Sequence, residues 1–117
     1  MALTITAGTI LASTAVAAAA VVTGAGVSVA TVYEHKLNYK ITNGASAPTT
    51  NPTIEVQASA DNAEWFRLFL VGGDQVVSSV NSGSYPAGPH LYLRAIFTGG
   101  ATNGSTMEVL DEQTTSY

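Results

Sequence analysis

The sequence predicts an all-β fold, an antiparallel β-sandwich of jelly-roll-like type with an extended N-terminal arm. Three observations carry that prediction. Apolar and polar residues alternate over several short segments, the period of a half-buried strand. Gly, Pro and Asn clusters punctuate those segments at short intervals. No amphipathic helix separates them, and a parallel sheet needs crossover connections that are usually helical.

The elements follow in order. Residues 1–33 contain no Asp, Glu, Lys, Arg or His, and Glu34 is the first charged residue. Leu3 and Ile5 alternate with Thr4 and Thr6 as in a short strand, while Ala15–Ala20 is open to either a helical or an extended reading. A stretch this poor in charge needs a surface to lie on if it is to be ordered, so residues 1–26 are expected to form an arm on neighbouring protein. A secretory signal would carry a basic n-region, and Met1–Ile10 has no Lys or Arg. Thr9, Ser13, Thr14, Thr23, Gly24, Gly26 and Ser28 interrupt any membrane span.

From Val27 to Thr42 the alternation is continuous. Val27, Val29, Thr31, Tyr33, His35, Leu37, Tyr39 and Ile41 share one face, a long strand that is bent or shared between two sheets. Asn43–Pro52 is a turn-rich loop. Thr53–Ala60 alternates with Ile54, Val56 and Ala58 inward; Asp61-Asn62-Ala63 is a turn, favoured because Asx side chains bond their own backbone. Trp65–Val71 reads as a buried strand, Gly72-Gly73-Asp74 as a turn, Gln75–Val80 as a strand and Asn81–Pro89 as a loop. Leu91, Leu93, Ala95 and Phe97 face one way, and Gly99–Gly104 closes a hairpin into Thr106–Leu110. The sandwich domain is placed at 27–112, with a polar tail at 113–117 trailing from Asp111 onward.

Composition excludes several functions. The chain has 117 residues, enough for one domain with a core of its own. It has no cysteine, so thiolate metal sites and disulfides are excluded. Net charge is −4 with four Lys and Arg, too few for a basic face that would bind nucleic acid directly. Charged residues make up 10%, against about 25% in ordinary soluble domains. Ala, Gly, Ser, Thr and Asn fill the gap, and such surface is cheaper to desolvate against a neighbour than ions are.

Residues that carry chemistry elsewhere read here as structural. His35 lies on an apolar strand face and His90 follows Pro89 at a strand mouth; two histidines without a third ligand make no zinc site. Asp61, Asn62 and Glu64 lack the alternating carboxylates and central Gly of a calcium loop. No serine sits in a G-x-S-x-G elbow, and the glycines at 99, 100 and 104 precede a strand rather than a helix. Arg94 is expected to pair with Glu55, Glu64 or Glu108 on a neighbouring strand. No catalytic, metal or cofactor residue is assigned, and an enzyme is the least supported reading.

Asn43, Gly44 and Pro48 precede a strand, Ser59, Asp61 and Trp65 form a turn, and Tyr92, Arg94 and Gly99 mark a closing strand. In these turn and strand signals, residues 37–110 resemble small β-sandwich proteins of tailed phages and prophages. The resemblance implies a virion component, most commonly a capsid decoration or cement protein. As such it would sit on the capsid surface, bridge major capsid protein subunits and contact copies of itself as a dimer or trimer, without cofactor, membrane or nucleic acid. The arm would supply Leu3, Ile5, Ile10, Leu11, Val16, Val21 and Val22 as subunit contacts. The alternative is a tail or surface module binding a host receptor or glycan through loops 43–52 and 81–90, with Trp65, Tyr85 and His90 as contacts. A secreted fibre subunit that exchanges its N-terminal strand is the third reading.

Overall fold

The chain passes back and forth between two sheets. Its strands are Thr4–Val16 (β1), Val21–Thr23 (β2), Val27–Ser28 (β3), Glu34–Asn43 (β4), Thr53–Ser59 (β5), Phe66–Gly72 (β6), Val80–Ala87 (β7), Tyr92–Thr98 (β8) and Ser105–Ser116 (β9). The computed structural model describes residues 4–30 and 32–116, and no helix occurs among them. One sheet has the order β1-β9-β4-β7; the other has β2-β8-β5-β6, with β3 also paired to β8. All pairings are antiparallel. This is a jelly-roll arrangement, in which the chain switches sheets between most strands, while β2–β3 and the paired β5 and β6 stay in one sheet.

Period-two alternation builds the core. Leu37 and Ile41 of β4, Met107 and Val109 of β9, Ile54, Val56 and Ala58 of β5, and Leu93, Ala95 and Phe97 of β8 are fully buried. Each large side chain among them contributes about 1.5–3 kcal/mol of transfer free energy. The long strand expected from Val27 is divided: Val27–Ser28 pairs with β8 in one sheet, and Glu34–Asn43 pairs in the other. Thr31 lies outside the described residues.

Three sequence expectations are corrected. First, the part of the expected arm 1–26 that the structure describes, residues 4–26, lies on the protein's own sandwich rather than on foreign surface: β1 pairs along its length with β9, and β2 pairs with β8. Ile10 and Val16 enter the core, and Leu11 and Val22 pack against it. The charge-free segment thus finds its apolar shelter in its own sandwich. Second, 75–80 is loop up to the start of β7, and most of the expected loop 81–89 is strand. Asp74 fixes that loop, accepting from Ser79 Oγ at 2.7 Å and from the Val76 N–H at 3.1 Å. Ser, Gly and Pro in Val80–Ala87 are tolerated because β7 is an edge. Third, residues 111–116 do not trail: they complete β9 between β1 and β4.

Candidate functional site

Charge is distributed by location in this fold. On the outside of the β4–β9 sheet, Lys36 lies opposite Glu112 and Lys40 opposite Glu108. The outside of the second sheet carries a polar ladder. Arg67 donates to Glu55 at 3.0 Å, Gln57 joins Glu55, and Arg94 Nε donates to Gln57 at 2.7 Å. The expected partner of Arg94 was a carboxylate; the register instead sets Gln57 directly opposite it. The guanidinium also lies 4.3 Å from the centre of the Trp65 ring.

The lateral sides are different. The edges β1, β2–β3 and β7 contain no Asp, Glu, Lys, Arg or His. Among the four edges only β6 carries a charge, Arg67, and it is spent on the outer ladder. Natural sheets usually protect edges with charge, especially Lys. Ile5 and Val21 stand exposed on one side, Val76, Val77 and Val80 on the other.

The sequence-derived contact residues are divided by the fold. Ile10 and Val16 are buried, Leu11 and Val22 half-buried, Ile5 and Val21 exposed. Leu3 lies outside the described residues. Trp65 reaches across the sheet to Arg94, and Gly26 is so close that an added Cβ would lie 3.0 Å from its ring. Tyr85 stacks on Phe69 with centroids 4.4 Å apart, closing the gap between β6 and β7. His90 lines an open apolar hollow of about 300 Å³ with Ala30, Ser59, Phe66, Pro89 and Leu91. Burial, and then repulsion from His35, lower the pKa of His90.

Loops 43–52 and 81–90 do not converge. Because β4 and β7 are antiparallel, with Thr42 beside Val80 and His35 beside Ala87, the loop after β4 and the segment after β7 lie at opposite ends. The separation is about 25 Å. Segment 43–52 is clamped onto 99–104, with Thr49 N–H donating to Ala101 O and Asn103 Nδ2 to Ala47 O, both at 2.9 Å.

One pair escaped the sequence reading, which placed Asp111 in a solvated tail. His35 and Asp111 are both buried, joined Nδ1 to Oδ2 at 2.6 Å. The signal was the parity of Met107, Val109 and Asp111, which puts the carboxylate on the inward face. Among the described residues there is no group of three His, Cys, Asp or Glu side chains suited to a metal.

No family model matches this chain, and no curated protein matches it. Solved structures share its fold. It is similar to PBSX exported protein XepA, with a TM-score of 0.61 and 11% identity over 96% of this chain. The match takes in 38% of that protein, so the chain spans well under half its length. It is also similar to a chain of Bacillus endospore appendages, which are disulfide-linked pili, with a TM-score of 0.57 and 14% identity. There the match covers 100% of this chain and 93% of the other. At these identities the likeness establishes the sandwich fold alone.

Proposed function

We propose that this chain is a structural subunit of an ordered virion or extracellular assembly, in contact with its neighbours through the uncharged sides of its sandwich. The observation that carries this reading is the confinement of ionisable side chains to faces, turns and one buried pair, leaving β1, β2–β3 and β7 without any. Neutral sides are inexpensive to desolvate, and many weak contacts on a lattice add through avidity. One similar fold belongs to an exported protein and another to pili, which supports a place outside the cell or on a particle. This chain has no cysteine, so its copies would join without disulfides.

The phage resemblance gives the finer reading of a capsid decoration protein touching the major capsid protein and its own copies. The means differs from an arm along the shell, because β1 is already paired within the subunit. The test places charge on one side. Ile5→Lys with Val21→Lys, both at exposed positions, should leave the circular dichroism spectrum unchanged and abolish incorporation into native particles. Incorporation at wild-type copy number would refute the reading. A count of hundreds of copies per particle supports decoration, a handful a tail position.

The second reading, a receptor- or glycan-binding module, is favoured by the apolar hollow beside His90. Of its other expected contacts, Tyr85 is exposed while stacked on Phe69, and Trp65 lies against Arg94.

A further inference from the structure

We infer that β1 is an exchangeable strand, able to leave its own sandwich and pair with β9 of a second copy of this chain. This rests on the assembly reading and specifies how copies become linked. Three observations lead to it. The strand carries no charge, and its buried contribution is small: Ile10 and Val16 are buried and Leu11 packs against the core, while Thr4–Ala7 are exposed. Its ladder to β9 is broken by register shifts at Thr4/Ile5, Thr9/Leu11 and Leu11/Thr14, so fewer hydrogen bonds hold it than its length would allow.

The third observation is strain at the hinge. The connection to β2 is a tight turn in which Ala20 N–H donates to Ala17 O, and Ala19 has φ of 56°. Alanine in the left-handed region is unfavourable, and it is held there by its N–H donating to Gly100 O at 2.9 Å. Straightening the turn releases that strain and directs β1 away from its own sandwich. A short hinge under strain invites exchange between copies.

The occupant is fixed by the fold itself. A sandwich that has released β1 exposes the β9 edge and the sites of Ile10 and Val16, and the segment complementary to them is β1 of an identical chain. All β1–β9 contacts are then remade between copies at no loss, and only the turn changes.

The absence of native cysteine makes the test clean. Thr9 and Leu110 are directly opposite in the β1–β9 register. One chain carries Thr9→Cys, and a second, isotopically labelled, carries Leu110→Cys. The two are unfolded together, refolded, assembled and oxidised. Exchange yields covalent dimers with the mass of one labelled and one unlabelled chain. Assemblies in which that mixed dimer is absent overturn strand exchange and leave the assembly reading standing; no assembly at all overturns both. A further variant, Ala19→Gly, relieves the turn and should lower the exchanged fraction about tenfold. An unchanged fraction would remove hinge strain as the cause.

Discussion

His35 on β4 and Asp111 on β9 form a buried pair across neighbouring central strands, Nδ1 to Oδ2 at 2.6 Å. Neither the second imidazole nitrogen nor the second carboxylate oxygen has a protein partner, while Gln113 Nε2 donates to the shared oxygen at 3.1 Å. Removing one member strands the other in the core. Asp111→Ala should therefore cost about 3–5 kcal/mol. Replacing both by leucine should recover most of that loss, because an apolar pair has nothing to desolvate. Urea denaturation of the single and double variants checks this, and a double variant as unstable as the single one contradicts it.

The end of β1 is gripped by two glycines. A Cβ at Gly104 would lie 2.0 Å from the Val16 carbonyl oxygen, and one at Gly99 would lie 2.2 Å from that of Ala17. Both obstacles are backbone and cannot rotate away. Gly104→Ala should destabilise the fold by about 2 kcal/mol, in the range of overpacked sites. Gly44 and Gly88 have open space and no left-handed φ. Their alanine variants should be neutral or stabilising by about 0.5 kcal/mol in thermal unfolding.

Acid should weaken the protein in two steps. His90 has its pKa lowered below 6.5 by burial and by repulsion from His35. The unfolded chain thus takes up a proton before the folded one does, and stability declines as pH falls below about 6.5. His90→Gln should flatten that portion of a thermal-stability profile. Asp61 and Asp74 have pKa values lowered from 3.8, Asp61 chiefly by the Glu64 N–H and Asp74 chiefly by Ser79. Their contributions are present above pH 4 or so and disappear as pH drops through the folded values. Asp74→Asn should remove part of the second step; an identical profile would contradict the assignment.

Trp65 is the one tryptophan, so its fluorescence reports its site without ambiguity. Arg94→Met removes the cation over the ring and should shift the emission maximum with a stability loss of about 1 kcal/mol. Trp65→Ala should cost about 2–3 kcal/mol, since packing on Gly26 and the polar ladder goes with it. A spectrum unchanged in Arg94→Met would show that the ring does not sense the guanidinium.

Local pattern carried the β5 and β8 core faces, because alternation depends only on which residues point inward. It carried the Asp61 turn as well, where Asp61 Oδ1 accepts from the Ala63 and Glu64 N–H groups at 2.9 Å. It failed at β7, since Ser-Gly-Ser-Tyr-Pro has loop composition and only an edge position makes it strand. It failed at Asp111 too, because a carboxylate in a polar stretch looks solvated until His35 of the neighbouring strand is seen to reach it diagonally.

The sequence by itself determined an all-β sandwich and a surface poor in charge, both properties of residue order that need no partner strand. Only the tertiary structure decided that the uncharged opening segment belongs to the subunit. Its neighbour β9 lies about a hundred residues further along, and whether a neutral strand finds its shelter in its own chain or in another depends on which sheet edge stands open beside it.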